Sequence, residues 1–162
     1  MNYLSNNLTG ETVNKKTEFE IKNNDNILDV HFSCFDSYLF SFSDKDNGEL
    51  YYGCVVEIFI QLDEQDSYLE IEVSPNNKTF VASILNRKIT FIDNSFVKSN
   101  VIIKDNNYFV DIRIDLNKFN PKKIKYNAFR IERKDDTSEY ELFALSPTLC
   151  GTFHVKDKFI DL

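Results

Sequence analysis

Residues Gly48 to Pro75, GELYYGCVVEIFIQLDEQDSYLEIEVSP, constrain the fold more than any other stretch. Cys54, Val56, Ile58, Ile60 and Leu62 share one phase of a period-two pattern. Val55, Glu57, Phe59 and Gln61 share the other. Side chains alternate across a strand, so the first set faces a core and the second a mixed surface. The polar run Asp63-Glu64-Gln65-Asp66 then predicts a tight turn. Beyond it Leu69, Ile71 and Val73 return inward, while Tyr68, Glu70 and Glu72 join Glu57 and Gln61 on the mixed surface. One sheet face therefore gathers three carboxylates, an amide and aromatic edges. It is read either as a ligand surface or as an ordinary solvated face.

The same alternation recurs along the chain. Short strands are expected over Thr17–Lys22, Ile27–Phe35, Tyr38–Ser43, Thr79–Leu85, Ile89–Ile92, Val101–Ile103, Tyr108–Leu116, Ala128–Arg133 and Glu139–Ser146. Polar clusters such as Asn23-Asn24-Asp25-Asn26 and Asp105-Asn106-Asn107 separate them. Residues 1–16 read as a loosely ordered lead-in or a peripheral strand, and Leu149–Leu162 as a closing segment. No long amphipathic helix is expected. Many short strands with apolar phases at hairpin spacing imply one all-β domain over residues 1–162, a two-sheet antiparallel β-sandwich.

Composition narrows the function. Aromatics make up 14% of 162 residues, as 15 Phe and 8 Tyr with no Trp, which favours strands. The formal net charge of −7 argues against nucleic acid as a partner. No apolar run is long enough to span a membrane, and the polar start lacks a signal-peptide core, so a cytoplasmic protein is expected. Four glycines leave no phosphate-binding loop. Cys34, Cys54 and Cys150 form no metal-binding pair and are expected as free thiols. His31 and His154 are read as hydrogen-bonded structural residues.

The order of motifs carries a resemblance. An aromatic loop leads into VVEIFI (Val55–Ile60), then SYLEIEVSPNNK (Ser67–Lys78). There follow YFVDIRIDLNKF (Tyr108–Phe119), NAFRIER (Asn127–Arg133), LFALSP (Leu142–Pro147) and TFHVKDKF (Thr152–Phe159). Together they resemble the carbohydrate-binding module family 9-like domain, over roughly Ile27 to Leu162. That resemblance implies a jelly-roll type sandwich, non-catalytic binding of a small saccharide or glycan end, and structural calcium in some members. It places Glu57 at the strand glutamate of the family and Tyr51 or Tyr52 at a stacking aromatic. Asn127 and Arg130 fall where either a structural or a binding role is open. This chain departs from the pattern in having no Trp, with Leu145 near the usual place, and Val155 after Phe153-His154.

The expected ligand-binding set is Tyr51, Tyr52, Glu57, Tyr68, Glu70, Glu72 and Arg113. No cofactor is required. Calcium, if bound, is expected at loop carboxylates Asp44, Asp46, Asp63 and Asp66, because it takes six to eight oxygen ligands. On a straight strand Tyr51 and Glu57 would stand about 20 Å apart. Gly48 and Gly53 are expected to let the tyrosine loop curl back over the sheet. Two other functions remain open from sequence: a structural or protein-interaction sandwich, and a glycoside hydrolase using two of the carboxylates.

Overall fold

The computed structural model describes residues 1–14 and 17–162. Alternating apolar residues fold into thirteen strands: β1 (Asn2–Tyr3), β2 (Ser5–Asn6), β3 (Thr17–Asn24), β4 (Ile27–Cys34), β5 (Val55–Leu62), β6 (Tyr68–Val73) and β7 (Thr79–Leu85), then β8 (Lys88–Phe91), β9 (Val97–Lys104), β10 (Asn107–Asp115), β11 (Ile124–Glu132), β12 (Glu141–Ala144) and β13 (Ile160–Asp161). All pairings are antiparallel. One sheet has the order β1-β3-β4-β10-β9. The other runs β2-β12-β11-β5-β6-β7-β8, with β13 also on β11. The fold is the two-sheet antiparallel sandwich expected from the alternation.

The inward phases meet between the sheets. Val56, Ile58 and Ile60 of β5 and Ile71 and Val73 of β6 pack with Phe32 of β4 and Val110 and Ile114 of β10. The β5–β6 turn is built from Asp63 and Glu64, both at positive φ (51° and 59°), with Gln65 N donating to Leu62 O. Two consecutive left-handed residues match the right-handed twist of a hairpin. Asp63 Oδ1 accepts from Lys122 N and Lys123 N, which offsets the conformational cost of a non-glycine turn.

Two expectations need correction. The outer phase of the eight-stranded sheet is not a surface: Val55, Glu57 and Phe59 are buried there. A second apolar layer that includes Leu50, Phe153 and Phe159 covers it and packs on the sheet's own Phe80 and Phe129, because the outer phase is itself rich in large apolar groups. Tyr38–Ser43 forms no strand. Leu39 at φ 56° breaks the extension, and Tyr38 and Phe42 stay exposed. Residues 1–14 carry two short strands, one in each sheet, with Leu4 in the core, whereas Lys15 and Lys16 of the expected lead-in lie outside the described residues.

Segment 35–39 is fixed by a buried ion pair. Arg130 Nη2 meets Glu132 Oε1 at 2.7 Å with both side chains fully buried. Arg130 also donates to Thr17 Oγ1 and Phe35 O, and Glu132 accepts from Ser37 Oγ and Tyr38 N. Asn127 donates to Ser146 O and accepts from Ser146 N. Both residues of the NAFR motif thus hold backbone in place.

Candidate functional site

On β5 and β6 the register sets Glu57 directly opposite Glu72, and Phe59 opposite Glu70. The three glutamates share one face, as the alternation required. Their carboxylate oxygens come within 4.8 Å of one another, the one such group of three or more metal-ligating side chains among the described residues. Each is more than nine-tenths buried. They sit in a cleft of about 350 Å³ walled by Tyr51, Phe80, Ile131, Leu142, Phe153 and His154, with Ile89, Gly151 and Thr152 at its edges.

The tyrosine loop does curl back. Asp46 Oδ1 and Asn47 Oδ1 accept from Thr79 N and Val81 N, tying the loop to β7. A single 3-10 turn, Leu50–Tyr52, follows, with Leu50 buried beneath it. Gly53 then passes so close to the 40–42 segment that a Cβ would stand 2.6 Å from Phe40 O and 2.7 Å from Phe42 N. Cys54 N donates to Phe40 O at this crossing. Tyr51 is thereby brought into the cleft wall, and Tyr52 packs on it with ring centroids 4.5 Å apart. Arg133 Nη1 holds Tyr52 O at 2.9 Å.

The opposite wall comes from the closing segment. Phe153 stacks on Phe129 at 4.2 Å, and His154 stacks on Phe59 at 5.2 Å. Tyr68 OH and His154 Nδ1 are 2.5 Å apart. Asn7 anchors this segment through Thr148: Asn7 Nδ2 donates to Thr148 Oγ1, and Thr148 N donates to Asn7 Oδ1.

Burial governs the electrostatics. It pushes the Glu57 carboxyl well above the usual carboxylate range, and the charge of Glu70 adds to this. Burial lifts Glu70 to about 7, despite an opposing hydrogen bond with Glu72. Glu72 is raised by burial and then by the charges of Glu57 and Glu70. Three carboxylates this close in an apolar cleft cannot all ionise without a compensating group. Glu72 Oε2 has no hydrogen-bond partner. His154 is lowered by burial and by Arg87, so it favours the neutral form.

The structure brings Tyr51, Tyr52, Glu57, Glu70 and Glu72 together. Tyr68 is buried beside them, supporting His154 and Phe59. Arg113 is elsewhere: it lies exposed on the five-stranded sheet, paired with Asp29 at 2.9 Å. The expected loop carboxylates do not converge. Asp46 is bonded at the start of β7, and Asp44 is exposed in the same loop. Asp63 and Asp66 lie at the other end of the β5–β6 hairpin, where Asp63 accepts two backbone amides and Asp66 faces Lys156. His154, Phe80 and Phe153 were missed as wall residues. The closing segment has no periodicity to reveal its position, and His154 in the FH motif was its one legible signal.

The structure is a double-sheet sandwich with a carboxylate-bearing cleft set into an aromatic outer layer. The fold is that of carbohydrate-binding module family 9-like domains. A proposed carbohydrate-binding protein from Bacteroides uniformis superposes with a TM-score of 0.83 at 16% identity, over 100% of this chain and 84% of that one. A carbohydrate-binding module family 9 from Caldicellulosiruptor kristjanssonii in complex with cellotriose gives 0.67 at 17% identity, over 98% and 75%. The same kind of module from that organism in complex with glucose gives 0.66 at 16% identity, over 96% and 78%. No protein-family model and no curated protein matches the chain.

Proposed function

We propose that the cleft on the eight-stranded sheet binds a small saccharide or a glycan end without turning it over. The observation that carries this is the convergence of Glu57, Glu70 and Glu72 beneath the Tyr51 ring in an otherwise carbon-lined cleft. A sugar offers hydroxyl donors on its edge and C–H groups on its faces. Carboxylates meet the first and an aromatic ring the second. The volume of about 350 Å³ falls within the range of small-molecule sites. The Caldicellulosiruptor modules with glucose and cellotriose supply the first ligands to try.

Titration calorimetry with glucose, cellobiose and cellotriose, followed by a glycan array, tests the reading. A charge-assisted hydrogen bond contributes about 1.5–3 kcal/mol, so Glu57→Gln weakens binding about tenfold or more. Tyr51→Ala is expected to act comparably while leaving the melting curve cooperative. Aryl glycosides incubated with the protein are expected to remain intact. A folded protein that binds no glycan on the array overturns the proposal and leaves the sandwich as a structural or protein-interaction unit.

A further inference from the structure

The triad has no compensating cation among the described residues. Burial and the other carboxyls are what raise Glu57 and Glu72, and no Lys or Arg among the described residues acts on any of the three. Glu72 Oε2 is buried in the cleft without any hydrogen-bond partner. A neutral hydroxyl can donate one hydrogen bond to such an oxygen but brings no positive charge to offset three carboxylates.

We infer that the site selects a saccharide carrying a primary ammonium group, an amino sugar, over the neutral sugar of the same shape. This rests on the saccharide reading above and names the class of sugar. An ammonium presents three N–H donors and no acceptor, and its positive charge favours ionisation of the carboxyls that would accept them. Tetrahedral N–H···O bonds of about 2.8 Å set their acceptors about 4.6 Å apart. The triad's oxygens all lie within 4.8 Å of one another, so one ammonium between them can reach all three. Tyr51, Phe80 and Phe153 line the same cleft, and aromatic faces favour a cation near them. A metal ion is served less well. Calcium needs further oxygens, yet the rest of the wall is mostly carbon, and Thr152 Oγ1 already accepts from His154 N. Zinc prefers nitrogen or sulfur, and neither nitrogen of His154 belongs to the converging group.

The test uses three β-1,4-linked disaccharides that differ at C2: the glucosamine dimer, the N-acetylglucosamine dimer and cellobiose. Calorimetry is run near neutral pH in chelator. The glucosamine dimer is expected to bind at least tenfold more tightly than either other sugar. Glu72→Gln is expected to reduce that preference severalfold while the domain remains folded by its melting curve. Equal or tighter binding of cellobiose or the acetylated dimer overturns the inference and leaves the saccharide reading standing. Binding of a simple alkylammonium as tight as that of the amino sugar, with no neutral sugar bound, overturns both. A calcium-induced rise in melting temperature that displaces the amino sugar also overturns the inference, by making the triad a metal site.

Discussion

Glu57 and Glu72 are direct partners across the β5–β6 pair, and both carboxyls are buried on the same face with Glu70. The arrangement favours the protonated forms in the folded chain. For Glu70 the carboxyl rises from 4.5 to about 7. Stability from this group is therefore fully present below pH 4.5 and is lost as pH rises through about 7. His154 acts in the opposite sense, since its lowered pKa costs stability as pH falls below 6.5. The comparison of wild type with Glu70→Gln isolates the carboxyl. The ligand-free variant is expected to melt on the order of 5 °C higher than wild type at pH 7.5, a gap that narrows toward pH 5. A gap independent of pH would refute the assignment.

Gly53 is required by space and not by its dihedral angles, which are extended. Gly53→Ala places a methyl against two backbone atoms of the 40–42 segment. Overpacking of this kind costs about 1–3 kcal/mol. Urea denaturation is expected to show that loss. Any sugar affinity is expected to fall with it, because Tyr51 moves with the turn.

Glu132 pairs with the buried guanidinium of Arg130 at 2.7 Å. Glu132→Ala removes the carboxylate from the buried guanidinium and the acceptor that Ser37 Oγ and Tyr38 N use. The expected loss is about 3–5 kcal/mol in urea denaturation. Replacing both Arg130 and Glu132 with apolar residues is expected to recover much of it.

The three thiols are free and differ in access. Burial pushes Cys34 and Cys54 up to about 11. Cys150 is exposed, and a hydrogen bond with Thr148 Oγ1 holds it below the usual thiol range. Brief alkylation of the native protein is expected to add one group, at Cys150, and denaturation to admit two more. Modification of Cys34 before unfolding would contradict the buried placement.

The hairpin register, the shared face of the glutamates and the return of the tyrosine loop were legible in the sequence. Each follows from local rules: a two-residue period, a polar turn, a glycine beside aromatics. The roof over that face was not legible. Phe59 and Tyr68 stand in the outer phase, where the carboxylates made the surface look solvated. Their covering partners, Phe153 and Phe159, come from some 85–100 residues later in an aperiodic stretch. Tyr38–Ser43 misled for the opposite reason. Its alternation is real, but Leu39 adopts a positive φ and the segment is held by Glu132 and Cys54 N instead of a neighbouring strand.

The clasp of Asn7 on Thr148, spanning 141 positions, has a consequence for biosynthesis. A chain made from its N-terminus presents β3 to β11 before residues 149–162. Domains fold as their segments appear, with the N-terminal part first. Until the closing segment arrives, Phe59 and Phe129 lie uncovered and the cleft has one wall. The cleft is therefore completed only when residues 149–162 have joined the fold, and until then the aromatic outer face stays open to chaperones.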